Sequence, residues 1–275
     1  MGAARPGGGL TGLPEGHTVH RAARRQTALV AGGPVSASSP QGRFTEGAAL
    51  IDGLTLHGVE AAGKHLFYRF GGDEVLHVHL GLFGRFREHA GVPPPAPRGA
   101  VRLRLVGGTG AVDLAGPTAC ALVGEEGRAA ILARLGPDPL RADADPERAV
   151  DDLARRRLPI GAALLDQRII AGLGNVYRAE ILFVCGVAPG REARTVPRER
   201  LRAIWDTSAR MLRDGVRRGR IVTVDPAEVG RPVSRMRRHE RTYVYKQDLC
   251  KRCGTPIQAV VLAARPCYWC PVCQT

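Results

Sequence analysis

The chain has 275 residues, 44% hydrophobic and 24% charged, the balance of a soluble globular protein long enough for two ordinary domains. Forty Lys and Arg against 26 Asp and Glu give a formal charge of +14, and the stretch from Arg191 to Thr275 holds 19 of the basic residues but only 8 of the acidic ones. No apolar run approaches the roughly 18 residues of a membrane span, and the opening MGAARPGGGLTG lacks the apolar core of a secretion signal, so a cytosolic protein with no membrane partner is expected. The basic C-terminal part is the electrostatic footprint of a polyanion binder, most often of nucleic acid. Wide use of arginine in a GC-rich genome gives the same excess, so the motifs must decide.

Residues 1–13 are Gly-rich and are expected to be disordered. Apolar and basic residues then recur at helical spacing from Thr18 to Val30, with Pro14 and Glu15 where a helix start favours proline and acid. Between Val35 and Leu122 come short alternating runs (LTLHGVEAAG, KHLFYRF, EVLHVHL, GRFREH, AVRLRLV, AVDLAG) separated by Gly, Pro and Asp, which predicts antiparallel strands in two facing sheets or a flattened barrel. From Asp145 the texture is helical: PERAVDDLARRR, PIGAALLDQRIIAG, NVYRAEILFVCG, and a longer amphipathic helix from Pro197 to about Arg218. The Arg-rich segment from Asp225 to Glu240 reads as a loop or linker, followed by a β-rich tail.

Five of the seven cysteines lie in the last 26 residues. Cys250-x2-Cys253 and Cys270-x2-Cys273, with 16 residues between them, have the spacing of a four-cysteine zinc site, each pair offering two thiolates from one turn. A site closed by four cysteines is structural, so one structural Zn²⁺ is expected. Cys267 makes a second CxxC with Cys270, but that pairing shortens the gap to 13 residues and strands Cys273. Cys120 and Cys185 read as buried small hydrophobes. The segment between the pairs reads as a β-hairpin tipped near Ala263 to Pro266, with Arg265 projecting away from the metal.

Pro14-Glu15-Gly16-His17-Thr18-Val19-His20-Arg21 resembles the mature N-terminus of the formamidopyrimidine-DNA glycosylase/endonuclease VIII family, and most resembles its actinobacterial endonuclease VIII-like branch. Gly63-Lys64-His65-Leu66, then His77 to Arg85 (HVHLGLFGR), Leu164-Leu165-Asp166-Gln167, Gly172 to Glu180 (GLGNVYRAE) and the terminal cysteines match in order, so the resemblance covers nearly all of residues 14–275. It implies an α+β multidomain fold: an N-terminal β-sandwich with an N-terminal helix (14–138), a helix–two-turns–helix domain (139–240) and a zinc-finger hairpin (241–275), with damaged DNA across the cleft between them. It further implies a monomer of the bacterial cytoplasm, at the nucleoid, acting as a bifunctional DNA glycosylase and AP lyase of base excision repair.

The site residues follow from the same resemblance. Pro14 is the amine nucleophile that forms an iminium with C1′, Glu15 is the acid/base, and Lys64 is the third catalytic residue, the strand lysine that contacts phosphate and assists catalysis. Asn175 and Tyr177 belong to the phosphate-contacting turn, whose helix-start amides can also bind phosphate. Leu82 and Phe83, in a Gly-flanked loop, are the apolar wedges that fill the gap of an extruded base, next to Arg85. Arg265 is the DNA contact of the finger. His77 and His79 share a strand face and read as structural or DNA-facing.

Three departures from the family pattern bear on activity. Twelve residues and Leu13 precede Pro14, and an amide nitrogen cannot form an iminium, so a functional start at Leu13 is expected. Gly-His-Thr follows Pro14-Glu15 where the guanine-oxidation branch has Leu-Pro-Glu, which favours oxidised pyrimidines as substrates. Ala264-Arg265 stands where Gly-Arg is more usual, stiffening the hairpin tip. A DNA-binding protein silenced by a blocked Pro14 is the main alternative. A zinc-ribbon factor of transcription or translation explains the cysteines and the charge but none of the N-terminal matches.

Overall fold

The computed structural model describes residues 14–275; the extension 1–13, with Leu13, lies outside them. These residues form two units. Pro14 with Val19–Arg134 makes the first, and Glu15–Thr18 with Leu135–Thr275 the second. The N-terminal helix α1 (Gly16–Val30) therefore starts in the second unit and continues in the first.

In the first unit α1 is followed by β1 (Gly33–Pro34), β2 (Ser36–Ser38), α2 (Thr45–Ile51), β3 (Thr55–Ala62), β4 (His65–Phe70), β5 (Val75–His79), β6 (Arg85–Ala90), β7 (Val101–Val106), β8 (Gly110–Ala115), β9 (Ala119–Leu122) and α3 (Gly124–Ala133). The strands make two antiparallel sheets of order β1-β3-β4-β5-β9 and β2-β7-β8-β6. Inward residues of both sheets, among them Leu56, Leu66, Tyr68 and Leu76 from one and Leu103, Leu105, Val112 and Leu114 from the other, share a core with Val19, Ala22 and Ala23 of α1. This is the expected sandwich. The periodicity of the sequence did not reveal β1, β2, β9, α2 and α3. The first three are too short for a period to show, and α3 buries no residue fully.

The second unit contains α4 (Pro146–Ala154), α5 (Ile160–Ala163), α6 (Asn175–Val184), α7 (Arg198–Arg218), α8 (Pro226–Val229) and the hairpin β10 (Gln258–Leu262) with β11 (Arg265–Trp269). Asp145 caps α4 by accepting from the N–H groups of Glu147 and Arg148, with Pro146 at its first position. Gly219, at φ 68°, ends α7 in the left-handed conformation that glycine takes without penalty.

The run PIGAALLDQRIIAG, expected as one helix, stops after four residues. The Asp166 carboxylate accepts from the N–H and the guanidinium of Arg168. The Gln167 amide donates to the carbonyls of Leu165 and Leu173 and accepts from the N–H of Gly172. These local bonds outcompete the helix ladder and fold the segment into turns between α5 and α6. The 225–240 segment likewise holds α8 and two 3-10 turns where a loop was expected.

Candidate active site and zinc centre

Pro14 is half-buried, and Glu15, the next residue, is 1% exposed. The first residues of an α-helix carry N–H groups with no partner inside the helix. At α6 these groups converge on Glu15: its carboxylate accepts from Gly174 N–H at 3.1 Å, Val176 N–H at 2.9 Å and Tyr177 N–H at 3.4 Å. The backbone is tied beside it, Gly16 N–H donating to Gly172 O at 2.8 Å. The glycines of the GLGN turn are what permit this approach. A Cβ on Gly174 would stand 2.4 Å from Glu15 Cδ, and one on Gly16 would stand 2.9 Å from Gly172 Cα.

The same geometry bears on two expectations about this turn. Three of the amides at the start of α6, those of Gly174, Val176 and Tyr177, donate to Glu15 and are not left for a phosphate. The Tyr177 side chain is fully buried, its hydroxyl donating to Met211 O at 3.3 Å and its ring meeting His17 edge-on, so it braces α6 against α7 and does not reach a phosphate. Burial raises its hydroxyl pKa well above the usual value. Asn175 is 5% exposed and donates its amide to Pro266 O at 3.1 Å; its Oδ1 is buried without a hydrogen-bond partner among the described residues.

In the first unit Lys64 lies in the two-residue turn between β3 and β4, where Ala62 pairs with His65, and not within a strand. Gly63 gives the turn its positive φ of 59°. Leu82 (54% exposed) and Phe83 (81%) lie between β5 and β6, with exposed Arg85 opening β6. A Cβ on Gly84 would strike the Leu80 carbonyl at 2.3 Å, so the loop is tight and holds both apolar side chains outward. His77 and His79 lie beside His65: His65 Nδ1 and His77 Nε2 are 2.8 Å apart, and the His65 and His79 rings are 4.7 Å apart. Burial, helped by the neighbouring imidazoles and by Arg134, holds His65 down to about 3 and His77 to about 4.

The sulfurs of Cys250, Cys253, Cys270 and Cys273 all lie within 4.8 Å of one another. Cys250 and Cys273 are 3.8 Å apart, and Cys253 is 3.5 Å from both Cys270 and Cys273. Tetrahedral Zn–S bonds of about 2.3 Å imply sulfur separations of about 3.8 Å, so the four thiolates fit one structural Zn²⁺. Thr255 Oγ1, 3.2 Å from Cys253 Sγ, is the largest cause lowering that thiol to about 6. Cys267 is buried and belongs to the adjoining core. Arg265, half-buried, opens β11 directly after the tip.

Two buried charges in α6 had no role assigned from the sequence. Glu180 accepts from the Thr223 hydroxyl and from the N–H groups of Tyr243 (2.6 Å), Val244 (2.9 Å) and Tyr245 (2.8 Å). Burial pushes its carboxyl up against these four bonds. Arg178 is fully buried among backbone carbonyls. The signal available was a basic and an acidic residue two apart in a helix that is apolar from Ile181 onward and almost wholly buried.

The profile of the formamidopyrimidine-DNA glycosylase N-terminal domain matches residues 13–114, that of the formamidopyrimidine-DNA glycosylase H2TH domain 135–226, and that of the zinc finger found in FPG and IleRS 248–275. Endonuclease 8 1 of Mycobacterium tuberculosis (strain H37Rv) is 45% identical over 268 residues, 96% of this chain and 100% of that protein. Probable endonuclease 8 2 of Streptomyces coelicolor is 35% identical over 95% of this chain and 94% of its own. Formamidopyrimidine-DNA glycosylase of Thiobacillus denitrificans is 32% identical over 82% and 83%. The fold is that of Lactococcus lactis formamidopyrimidine-DNA glycosylase, solved non-covalently bound to DNA containing an AP site, with a TM-score of 0.76 at 24% identity over 95% of this chain and 99% of that one. The chain belongs to the formamidopyrimidine-DNA glycosylase/endonuclease VIII family, the DNA glycosylases of base excision repair that also act as AP lyases.

Proposed function

We propose that the chain excises oxidised bases from DNA, pyrimidines preferred, through Pro14, and then cleaves the strand. The Pro14 nitrogen, as a free secondary amine, attacks C1′ of a nucleotide taken out of the stack, and the C1′–N bond breaks with departure of the base. After attack the Pro14 nitrogen gives up its proton, which Glu15 takes and delivers to the ribose ring oxygen, so that the sugar opens and a cationic iminium is left. The iminium acidifies the C2′ proton; loss of that proton expels the 3′ phosphate, and a second elimination expels the 5′ phosphate.

The observation that carries this reading is the placement of Glu15: a buried carboxylate next in the chain to Pro14, fixed by three N–H groups. We assign Lys64, Asn175 and Arg265 to the DNA backbone, Leu82 and Phe83 to the gap left by the extruded base, and Arg85 to the strand beside it. Residues 14–138, 139–240 and 241–275 act as the catalytic, helical and finger parts. Pyrimidine preference is supported by Gly-His-Thr after Glu15. The fold by itself does not choose, since its neighbours were solved with carbocyclic 8-oxo-G and with oxidised-pyrimidine DNA alike.

Borohydride trapping on an abasic-site duplex tests the chemistry. Protein beginning at Pro14 becomes covalently linked, while Pro14→Gly and a form retaining residues 1–13 do not. Trapping that survives in both would move the amine to Lys64, and no trapping by any form would leave a protein that binds damage without chemistry. Duplexes bearing thymine glycol, dihydrouracil and 8-oxoguanine then rank the lesions.

A further inference from the structure

The turn joining β10 to β11 puts two alanines in the left-handed region, Ala263 at φ 50° and Ala264 at φ 58°, with Leu262 paired to Arg265 across it. Two-residue hairpins of this kind are ordinarily filled by Asn and Gly, because an L side chain there meets its own backbone. Both alanines are exposed, so nothing packed around them pins the turn from outside.

What holds it comes from α6. The Arg178 guanidinium donates to Leu262 O at 3.1 Å and Arg265 O at 2.9 Å, the two carbonyls flanking the alanines, and to Gly161 O at 3.0 Å in α5. Three residues earlier on the same helix, Asn175 donates to Pro266 O. None of these acceptors is a carboxylate. An apolar side chain would fill the position with less loss of hydration. The planar fork of arginine does what an apolar group cannot: it fixes several carbonyls at once.

We propose that Arg178 is a positioning residue for DNA binding, which locks the Ala263–Ala264 turn so that Arg265 leaves the hairpin tip in one direction, already set for a phosphate. This rests on the reading of Arg265 as a DNA contact. A contact ordered before binding loses less conformational freedom on association, so removing the clamp weakens affinity without removing any group that touches DNA.

The test compares Arg178→Gln, Arg265→Ala and their double variant in the zinc-loaded protein, by affinity for a duplex with a stable abasic-site analogue over a range of salt. Arg265→Ala is expected to lose roughly tenfold in affinity, the scale of one charge-assisted contact. Its slope of log affinity on log salt should flatten by about 0.9, the value for one phosphate. Arg178→Gln should lose a similar factor, flatten the slope alike and keep one zinc, and the double variant should lose no more than either. Placing Ala263→Asn and Ala264→Gly in the Arg178→Gln background gives the turn residues that favour this shape unaided, and should restore affinity and slope. Hydrogen exchange should quicken at the 262–265 amides of Arg178→Gln and stay unchanged at Cys250 and Cys253. Unchanged affinity in Arg178→Gln beside a weakened Arg265→Ala would overturn the proposal, as would zinc loss or misfolding that the Asn-Gly turn does not reverse. An unaffected Arg265→Ala would instead overturn the DNA-contact reading on which it rests.

Discussion

Glu15 and Gly174 show how much a single residue decides here. Without a side chain at 174 the Glu15 carboxylate can reach the amides that open α6; with a methyl group there it cannot, because the added carbon would overlap its Cδ and Cγ. Gly174→Ala is therefore expected to destabilise the protein by about 1–3 kcal/mol, the range for forced overpacking, and to displace Glu15, with a urea midpoint and a single-turnover excision rate falling together. Glu15→Gln keeps the volume but not the proton chemistry. Its excision rate should fall by roughly 10²–10⁴-fold, the typical contribution of general acid–base catalysis, while affinity for an abasic-site analogue stays near that of the parent; wild-type rates in this variant would remove Glu15 from the mechanism. Glu15 was legible because it stands in a motif. The use of the α6 amides was not, because which carboxylate 159 to 162 residues away fills a helix start depends on tertiary contact.

At the scale of elements, β4 and β5 carry a stack of imidazoles. The sequence showed only His77 and His79 on one face; His65 of β4 joins them in the fold, and the protonation state of the three comes from burial. Folded, His65 takes up a proton only near pH 3 and His77 near pH 4, whereas in the unfolded chain both do so near 6.5. Between those limits the unfolded chain binds more protons, so the stack's contribution to stability is complete above about pH 6.5 and is lost as the pH falls toward 4. Lys64 and Arg134, both close by, act in the same direction. Urea midpoints at pH 7.5 and 5.0 measure this. The drop should be large in the parent and distinctly smaller in His65→Phe/His77→Phe, and an equal drop in both would assign it to other groups. A different competition explains why the run 159–172, expected as one helix, is helical only over Ile160–Ala163. Its apolar spacing is helical, but Asp166 and Gln167 offer the backbone nearer partners than the next turn would.

At the scale of the whole molecule, zinc and the two buried charges of α6 join the finger to the helical part of the second unit. Cys250, Cys267 and Cys270 share a core with Phe183, Tyr243 and Val244, and Glu180 receives three successive N–H groups from the irregular segment entering the finger. Chelating the metal should therefore abolish DNA binding and open residues 248–275 to proteolysis, while 19–134, with its own core, keeps its β-sheet circular dichroism signal; a protease-resistant, DNA-binding apo form would contradict this. The sequence by itself determined the order of the parts and the four metal ligands, because alternation and CxxC spacing are local and survive without knowledge of the fold. Tertiary structure alone decided that Tyr177 is core and that the α6 amides serve Glu15. It also decided that Arg178 and Glu180 are ties within the second unit, and that Ala263 and Ala264 adopt the left-handed turn. Each of these depends on which distant backbone groups arrive at a given side chain, and no periodicity along the chain records that.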